Sequence, residues 1–189
     1  ANKNKLDCIY VPKKYEELAD KCACNEKWMK QSKIGSGAFG KVYKACRFKG
    51  KDLVVKVQQN NVFAKAELNA YIDLKGTGIT PKLLAAWTCK NKMYMLIEKL
   101  EKCTKPINEL IKSLRKKVEK LSELGWLHCD LHGGNIMCSK NKVVLIDFGL
   151  AVKKNKGPFD NQKGKTFTKL KERQQKQFDN LIYHSSLSL

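Results

Sequence analysis

Hydrophobic and polar residues follow two different periods along this chain. Between residues 32 and 57, short segments rich in Val and Ile alternate with Gly or charged turns, a pattern typical of β-strands. Residues 61–74 place apolar side chains at helical spacing, which predicts an amphipathic helix. Two more strands are predicted at 83–88 and 93–100, joined by a turn at 90–92.

The second half of the chain has a mainly helical pattern. Ile, Leu and Val share one face of residues 107–124, and Gly125 is expected to end that helix. Two short strands follow at 136–137 and 143–146, and a helix is predicted over 168–182.

Together these elements predict an α+β fold of two lobes, with a hinge near Glu98–Leu100. A β-rich lobe with one helix spans residues 31–98, and a mainly helical lobe spans residues 99–189. Residues 1–30 are expected to form an extension packed on the body. Ligands commonly bind in the cleft between two such units.

Composition and charge exclude several classes of protein. At 189 residues and 42% hydrophobic, the chain can bury a core, and wholesale disorder is not expected. It has neither an apolar run long enough to cross a bilayer nor an apolar signal segment, which predicts an intracellular protein with no membrane contact. The net charge of +20, almost all from Lys, predicts either solubility alone or weak electrostatic association with nucleic acid or acidic partners. The scarcity of Arg argues against a sequence-specific nucleic-acid reader.

The eight cysteines are expected to be reduced, as in most intracellular proteins. Cys22 and Cys24 form a C-x-C pair with Cys8 upstream. Zinc sites usually need two C-x₂-C pairs, so this arrangement is a weak signal for a metal. The sequence assigns no role to these three residues.

A glycine-rich run lies between two predicted strands. It consists of Gly35, Ser36, Gly37, Ala38, Phe39, Gly40, Lys41 and Val42, and it reads G-x-G-x-F-G-x-V. Glycines allow backbone N–H groups to approach phosphate oxygens, because no Cβ blocks the approach. Such a run can also begin a dinucleotide-binding fold, but a strand follows it here instead of a helix, which disfavours that fold.

Three further segments supply charged and polar groups in order. Lys56 ends an apolar strand, and Glu67 lies eleven residues later in the predicted helix, which could bring its carboxylate to the ammonium. Asp130 and Asn135 lie five residues apart in a loop between a helix and a strand, and Asp147 follows the next apolar strand. Asp130 could accept or orient a hydroxyl proton, while Asn135 and Asp147 offer oxygens to Mg²⁺.

These motifs, in this order, resemble the eukaryotic-type protein kinase superfamily over roughly residues 32–151. The resemblance implies an enzyme that uses ATP and Mg²⁺, with Asp130 as catalytic aspartate, Lys56 paired with Glu67, and Asn135 and Asp147 as metal ligands. The residues implied to bind the nucleotide are Gly35, Ser36, Gly37, Ala38, Phe39, Gly40, Val42, Val54, Lys56, Glu98, Leu100 and Met137, with Ile97 as gatekeeper.

Some residues depart from the usual pattern of that superfamily. Cys129 replaces the Arg of His-Arg-Asp, which implies activity without phosphorylation of the activation loop. His132 stands where Ser/Thr kinases usually carry Lys, as in small-molecule phosphotransferases and some atypical and viral kinases. Forty residues follow Asp147-Phe148-Gly149 without an Ala-Pro-Glu motif, so a truncated large lobe is expected, similar to the compact kinases of large DNA viruses. Asp179 on the last helix either supports the loop that carries Asp130 or is an ordinary surface residue.

The first interpretation is a minimal Ser/Thr kinase with protein substrates, located in a host cytoplasm, a nucleus or a virion. The first alternative is a small-molecule phosphotransferase, suggested by His132. The second is a binding scaffold with a kinase fold, although such a scaffold would not need the complete set of site residues. A short large lobe leaves surface exposed, which predicts an activating or docking protein partner.

Overall fold

The computed structural model describes residues 7–10, 12–13, 33–37, 40–44, 53–155 and 166–186. The strands are β1 Asp7–Tyr10, β2 Lys33–Gly37, β3 Gly40–Lys44, β4 Leu53–Gln59, β5 Leu83–Cys89, β6 Lys92–Glu98, β7 Trp126–Leu127, β8 Ile136–Ser139, β9 Lys142–Leu145 and β10 Val152–Lys153. The helices are α1 Val62–Asp73, α2 Ile107–Glu123 and α3 Phe167–Ser186, with 3₁₀ turns at Gly133–Asn135 and Phe148–Leu150.

The first half of the molecule is an antiparallel sheet of six strands in the order β1-β5-β6-β4-β3-β2. All seven residues of β5 and the five central residues of β6 are buried, which explains why their sequences are nearly continuous apolar runs. β4 lies between β3 and β6, and Lys56 stands opposite Val42 on one side and Met95 on the other. The sheet therefore fixes the backbone of Lys56 from both sides.

Strand β1 comes from the predicted N-terminal extension. It pairs antiparallel with β5, with Asp7 opposite Thr88 and Cys8 opposite Trp87. Most of residues 1–30, including Cys22 and Cys24, lie outside the described residues. The predicted domain boundaries therefore remain a prediction.

Helix α1 begins where Asn61 caps it, since the Asn61 side chain accepts a hydrogen bond from the backbone N–H of Ala64 at 3.1 Å. The helix buries Ala64, Glu67, Leu68 and Tyr71, which lie at helical spacing on one face. It packs against β5 and the turn at Phe148–Leu150. An acidic residue, Glu67, is thus placed among apolar neighbours.

The second half is built around helices α2 and α3. Helix α2 buries Leu114, Val118 and Leu121, and Gly125 follows it with a φ of +77°, a conformation that favours glycine. Helix α3 buries Leu170, Gln174 and Phe178 at intervals of four residues. A glutamine therefore occupies the middle of an otherwise apolar stripe.

The predicted α+β, two-lobed fold class is confirmed, and most elements lie within one or two residues of their predicted bounds. The last helix is longer at its C-terminal end than the predicted 168–182. The strand predicted at 93–100 ends earlier, at Glu98, so Leu100 lies beyond it in the hinge. Among the described residues, none of the helices combines the length and the apolar character needed to cross a membrane.

The prediction that the cysteines are reduced is wrong for part of the chain. Cys103 and Cys138 form a disulfide, and Cys89 is also disulfide-bonded. Glu101 pairs with Cys138 as an isolated β-bridge, which brings the segment after the hinge alongside β8 and places the Cα atoms of Cys103 and Cys138 5.0 Å apart. Cys129 keeps a reduced, buried thiol.

Candidate active site

The structure brings Lys56 of β4 to Glu67 of α1. Lys56 Nζ donates to both carboxylate oxygens of Glu67, at 2.8 and 2.7 Å, and Gln58 Nε2 donates to Glu67 Oε2 at 2.9 Å. The Glu67 side chain is fully buried. A carboxylate in such a place is stable only because a cation and further hydrogen bonds satisfy it.

Both members of this pair are held in their charged forms. Burial by itself would lower the pKa of Lys56, but the negative charges of Glu67 and Asp147 outweigh burial and raise that pKa above its ordinary value. Burial by itself would raise the pKa of Glu67, but the charge of Lys56 and hydrogen bonds lower it. At neutral pH the pair is therefore an ammonium and a carboxylate.

Asp147 lies on the other side of Lys56. Its backbone has a φ of +66°, and its Oδ1 is 3.5 Å from Lys56 Nζ, close enough for attraction between the charges. Oδ1 is nevertheless buried without a hydrogen-bond partner among the described residues. Burial raises the pKa of Asp147, Lys56 opposes that rise, and Glu67 and Asp130 add to it.

Residues 128–135, the predicted catalytic loop, carry Asp130 and Asn135. Asn135 Nδ2 donates to the backbone oxygen of Asp130 at 2.9 Å and to Asp130 Oδ2 at 3.2 Å, so the two side chains lie together. The backbone N–H of Ile146 donates to the backbone oxygen of Asn135 at 3.0 Å, which brings the residue before Asp147 to the end of this loop. The acidic and amide groups predicted from the motifs thus converge in one place.

His132 lies on the exposed side of the loop, with 57% of its side chain accessible. Its Nε2 lies 3.7 Å from Asp130 Oδ2, and its Nδ1 accepts a hydrogen bond from the backbone N–H of Gly134 at 3.1 Å. The latter contact orients the ring, so that Nε2 faces Asp130. His132 therefore borders the carboxylate of Asp130.

His128 has the opposite environment, since it is completely buried. Burial lowers the pKa of His128 to about 4, so the imidazole is neutral at physiological pH. Its Nδ1 accepts from the backbone N–H of Asp130 at 3.3 Å, so its Nε2–H donates to the backbone oxygen of Ile146 at 2.8 Å. This neutral side chain connects the backbone at Asp130 with the backbone next to Asp147.

Three aromatic rings connect α1 with the catalytic loop. The Phe148 ring meets the Tyr71 ring edge-on at 5.9 Å and the His128 ring at 4.5 Å. Burial raises the pKa of Tyr71 well above its ordinary value, and the charge of Glu67 and a hydrogen bond with its carboxylate raise it further. Tyr71 therefore keeps its proton and lies against both Glu67 and the Asp147–Phe148 segment.

Helix α3 holds the catalytic loop, but not through the residue considered from the sequence. Asp179 is exposed, and its Oδ1 accepts a hydrogen bond from Gln175 Nε2. Of the two roles considered for Asp179, the structure therefore agrees with an ordinary surface residue. Gln174 and Gln177 contact the loop backbone instead. The signal available in the sequence was the spacing of Leu170, Gln174 and Phe178, which places an amide in the buried stripe of the helix.

The residues predicted to contact the base come from both halves of the molecule. Val54 and Ile97 are buried and pack with the partly buried Val42 in the main core, and Met137 lies on β8 next to the disulfide-bonded Cys138. The side chain of Glu98 hydrogen-bonds two other segments of the chain. Its Oε1 accepts from the backbone N–H of Lys82 at 2.7 Å, and its Oε2 accepts from Ser139 Oγ at 2.8 Å. These contacts fix the course of the hinge.

The glycine-rich strands differ along their length. A Cβ at Gly40 would lie 2.8 Å from the backbone oxygen of Val57, so the approach of β3 to β4 requires a glycine there. Cβ atoms at Gly35 and Gly37 would meet nothing within 4 Å, so their backbone faces open space. Ser36 stands opposite Lys41 in the β2–β3 pairing. Ala38 and Phe39 lie outside the described residues.

A separate cavity of about 380 Å³ lies near the end of this hairpin and the start of α1. Its wall includes Ser36, Gly37 and Gly40 of the glycine-rich run and also Gln58. The five charged or amide groups predicted to carry the chemistry lie outside this wall, namely Lys56, Glu67, Asp130, Asn135 and Asp147. No group of three or more His, Cys, Asp or Glu side chains within the described ranges could hold a metal ion.

Comparison with known proteins agrees with this geometry. The family model of the protein kinase domain matches residues 28–169, which include every predicted site residue. A dual specificity protein kinase, shkE of Dictyostelium discoideum, is 31% identical over 169 aligned residues, which cover 75% of this chain and 23% of that protein. This chain belongs to the protein kinase domain family. It spans about a quarter of the length of the curated relative that it matches.

Membership of this family implies ATP and usually Mg²⁺. The residues fit such a metal ion, because Asp147 offers a buried carboxylate oxygen with no hydrogen-bond partner among the described residues. The Asn135 amide uses its nitrogen for Asp130, which leaves its oxygen as the atom for a metal. Carboxylate and amide oxygens are the ligands that Mg²⁺ prefers.

Proposed function

We propose that this chain transfers the γ-phosphoryl group of ATP to Ser and Thr hydroxyls of protein substrates. The observation that carries the proposal is the assembled site, in which Lys56 contacts Glu67 on one side and faces Asp147 on the other. In the family, this chemistry requires the Lys–Glu contact and an aspartate that holds Mg²⁺ beside the phosphates, which is the position of Asp147 here.

Each residue has a distinct task in this proposal. The ammonium of Lys56 orients the phosphates, and Glu67 holds that ammonium in place. Asn135 and Asp147 would hold Mg²⁺, which neutralises charge on the phosphate oxygens when it is bound. Asp130 orients the acceptor hydroxyl and receives its proton, since its carboxylate is fixed by Asn135 and remains partly accessible. Positioning and charge neutralisation are the main contributions in phosphoryl transfer.

We also propose that activity does not require phosphorylation of the activation loop. Cys129 stands at the position of the usual arginine, and its side chain packs with Leu127, Val152 and Leu170. A buried thiol provides no cation for a phosphate group, so phosphorylation would have no partner at this point. Phosphatase treatment is expected to leave the rate unchanged, and a large loss of rate would contradict the proposal.

A second candidate function is phosphoryl transfer to a small molecule. His132 favours it, because this exposed imidazole borders Asp130 where Ser/Thr kinases usually carry Lys. A panel of small hydroxyl compounds tested beside protein substrates separates the two candidates. Transfer to the compounds alone would replace the first proposal with the second.

The decisive experiment is transfer of radiolabelled γ-phosphate from ATP–Mg²⁺ to the protein itself and to acidic and basic protein substrates. Label is expected on Ser and Thr, and Lys56→Ala and Asp147→Asn should each reduce it about 100-fold or more. Lys65→Ala and Asp179→Asn change exposed residues of the same types and should keep full transfer. Label on Tyr as well would indicate dual specificity, as the name of the slime-mould relative states for that protein. A biological effect that persists in Asp147→Asn would indicate a scaffold.

Partners and location remain proposals. We infer that a protein partner activates or docks this domain, and that the charge of +20 supports weak association with nucleic acid at low salt. We retain an intracellular location, of a cellular or viral protein, as a hypothesis. The Cys103–Cys138 disulfide provides its test, because disulfides are rare in reducing compartments. Thiol labelling of the native protein in its source would show whether these two cysteines are reduced there.

A further inference from the structure

The catalytic loop is tied to helix α3 by hydrogen bonds that span more than forty residues of sequence. Gln174 Oε1 accepts from the backbone N–H groups of His128, at 2.6 Å, and Cys129, at 3.4 Å. Gln177 Oε1 accepts from the backbone N–H of Leu131 at 3.2 Å, and its Nε2 donates to the backbone oxygen of Cys129, also at 3.2 Å. We propose that Gln174 and Gln177 are the positioning residues that fix Asp130 for phosphoryl transfer.

The hydrogen bonds surround Asp130 in the sequence. They hold the two residues before it and the residue after it, so the backbone on both sides of the aspartate is fixed to one rigid helix. Gln174 is only 2% exposed, and Gln177 is partly buried. Hydrogen bonds in such places do not compete with bulk water, and each is expected to restrict the loop strongly.

The loop needs this support because its backbone is in an unfavourable conformation. Cys129 has a φ of +63°, in the left-handed region, which costs a residue other than glycine about 1 kcal/mol or more. Both the N–H and the C=O of Cys129 are bound by the two glutamines. The contacts to α3 therefore hold the chain in the turn that aims Asp130 into the cleft.

The two amides are used differently, which gives the proposal a specific test. Gln174 uses its oxygen as a double acceptor toward the loop, and a carboxylate could do the same. Gln177 uses both ends of its amide, and an ionised carboxylate cannot donate to the oxygen of Cys129. Glutamate should therefore keep both loop contacts of residue 174, at the cost of burying a charge, whereas at 177 it should lose the contact with Cys129.

This role rests on the proposed phosphoryl transfer, so the experiment combines two measurements. The first is kcat and KM for ATP in Gln174→Glu, Gln174→Leu and Gln177→Glu, with Gln175→Glu as control. Gln175 is exposed, and its side chain hydrogen-bonds Asp179 on the same helix and not the loop. The second is hydrogen exchange of the backbone amides in residues 126–135, which does not depend on activity.

Gln174→Leu and Gln177→Glu are expected to lose about 100-fold in kcat with little change in KM, because a misplaced catalytic group loses about that much. Both should exchange the amides of the loop faster, while Gln174→Glu and Gln175→Glu should resemble the native protein in this exchange. The Gln177→Glu deficit, measured relative to the native protein at each pH, should shrink as the pH falls, because a protonated carboxyl group can again donate to Cys129.

Several outcomes would overturn the proposal. Equal exchange of the loop amides in Gln174→Glu and Gln177→Glu, or unchanged exchange in Gln174→Leu, would show that the glutamines do not position the loop. If the native protein transfers no phosphate, the proposed function fails, and hydrogen exchange alone still decides whether the glutamines hold the loop. If Gln174→Leu does not fold, the comparison of Gln177→Glu with Gln175→Glu at less buried positions decides.

Discussion

The two halves of the site are held together by different kinds of interaction. In the β-rich lobe, the main interaction is an ion pair between full charges. The buried carboxylate of Glu67 accepts hydrogen bonds from the ammonium of Lys56 and from the amide of Gln58. Around the catalytic loop the supporting groups are neutral, namely the imidazole of His128 and the amides of Gln174 and Gln177. The aromatic ring of Phe148 lies between the two systems.

This difference predicts which substitutions and which pH changes destabilise each half of the site. Charged pairs in a buried place are sensitive to the loss of one partner, because the remaining charge has no solvent. A buried neutral imidazole is sensitive to protonation, and hydrogen-bonded amides are sensitive to loss of a donor or acceptor. The two halves can therefore be disturbed independently, by different substitutions and by pH.

The largest effect is expected from Lys56→Met. It leaves the Glu67 carboxylate buried without its cation, which should lower the free energy of unfolding by about 3 kcal/mol and abolish transfer. The double variant Lys56→Met/Glu67→Leu removes both charges and should recover most of the stability but none of the transfer. Urea unfolding and the phosphate assay measure the two properties, with Lys65→Met as control. A single variant as stable as the native protein would contradict the assigned charge of Glu67.

The neutral half should respond to acid before the charged half does. His128 has a pKa of about 4 in the folded protein, below its ordinary value of 6.5, so between these values the unfolded chain binds a proton that the folded chain does not. Stability is therefore full above pH 6.5 and declines as the pH falls toward 4, by about 3 kcal/mol in all from this residue. Because the pKa of Glu67 is lowered, its contribution is lost only below its ordinary value of 4.5.

Urea unfolding at pH 7, 6 and 5 measures this slope. His128→Asn should flatten it, whereas His184→Gln, at an exposed position of α3, should leave it unchanged. A native slope of zero between pH 6.5 and 5 would show that His128 is not held neutral.

A smaller effect is expected from Tyr71→Phe. The substitution keeps the ring next to Phe148 but removes the hydroxyl group that hydrogen-bonds Glu67. It should lower the free energy of unfolding by about 1 kcal/mol and reduce transfer modestly. The double-mutant cycle with Glu67→Gln measures the coupling, and strictly additive effects would mean that the two side chains do not interact.

The sequence predicts the regular elements well, because their signals are local. Continuous apolar strands and amphipathic helices show their periods within a few residues, and the predicted approach of Glu67 to Lys56 follows from a helix packed on a sheet. The roles of the site residues remain predictions that the experiments above test. They rest on motifs that are short and ordered along the chain.

The long-range contacts could not be predicted in the same way. The spacing of Leu170, Gln174 and Phe178 places Gln174 in the buried stripe of the helix, but no local pattern indicates its contact with His128, 46 residues away. Asp179 is a carboxylate on the same helix and was one candidate for supporting the loop, yet it lies on the exposed face of the helix. Cys103 and Cys138 are separated by 35 residues, and only the β-bridge at Glu101 shows why they meet.

The pairing of β1 with β5 has a consequence for behaviour in solution. A strand at the edge of a sheet exposes unpaired N–H and C=O groups, and such edges are templates for association between chains. β5 is buried along its whole length, and Asp7–Tyr10 occupies the side of it that would otherwise be open. A chain without residues 1–11 would present that edge to a second copy. We therefore expect the first strand to protect the protein from aggregation, although none of the predicted site residues lies on it.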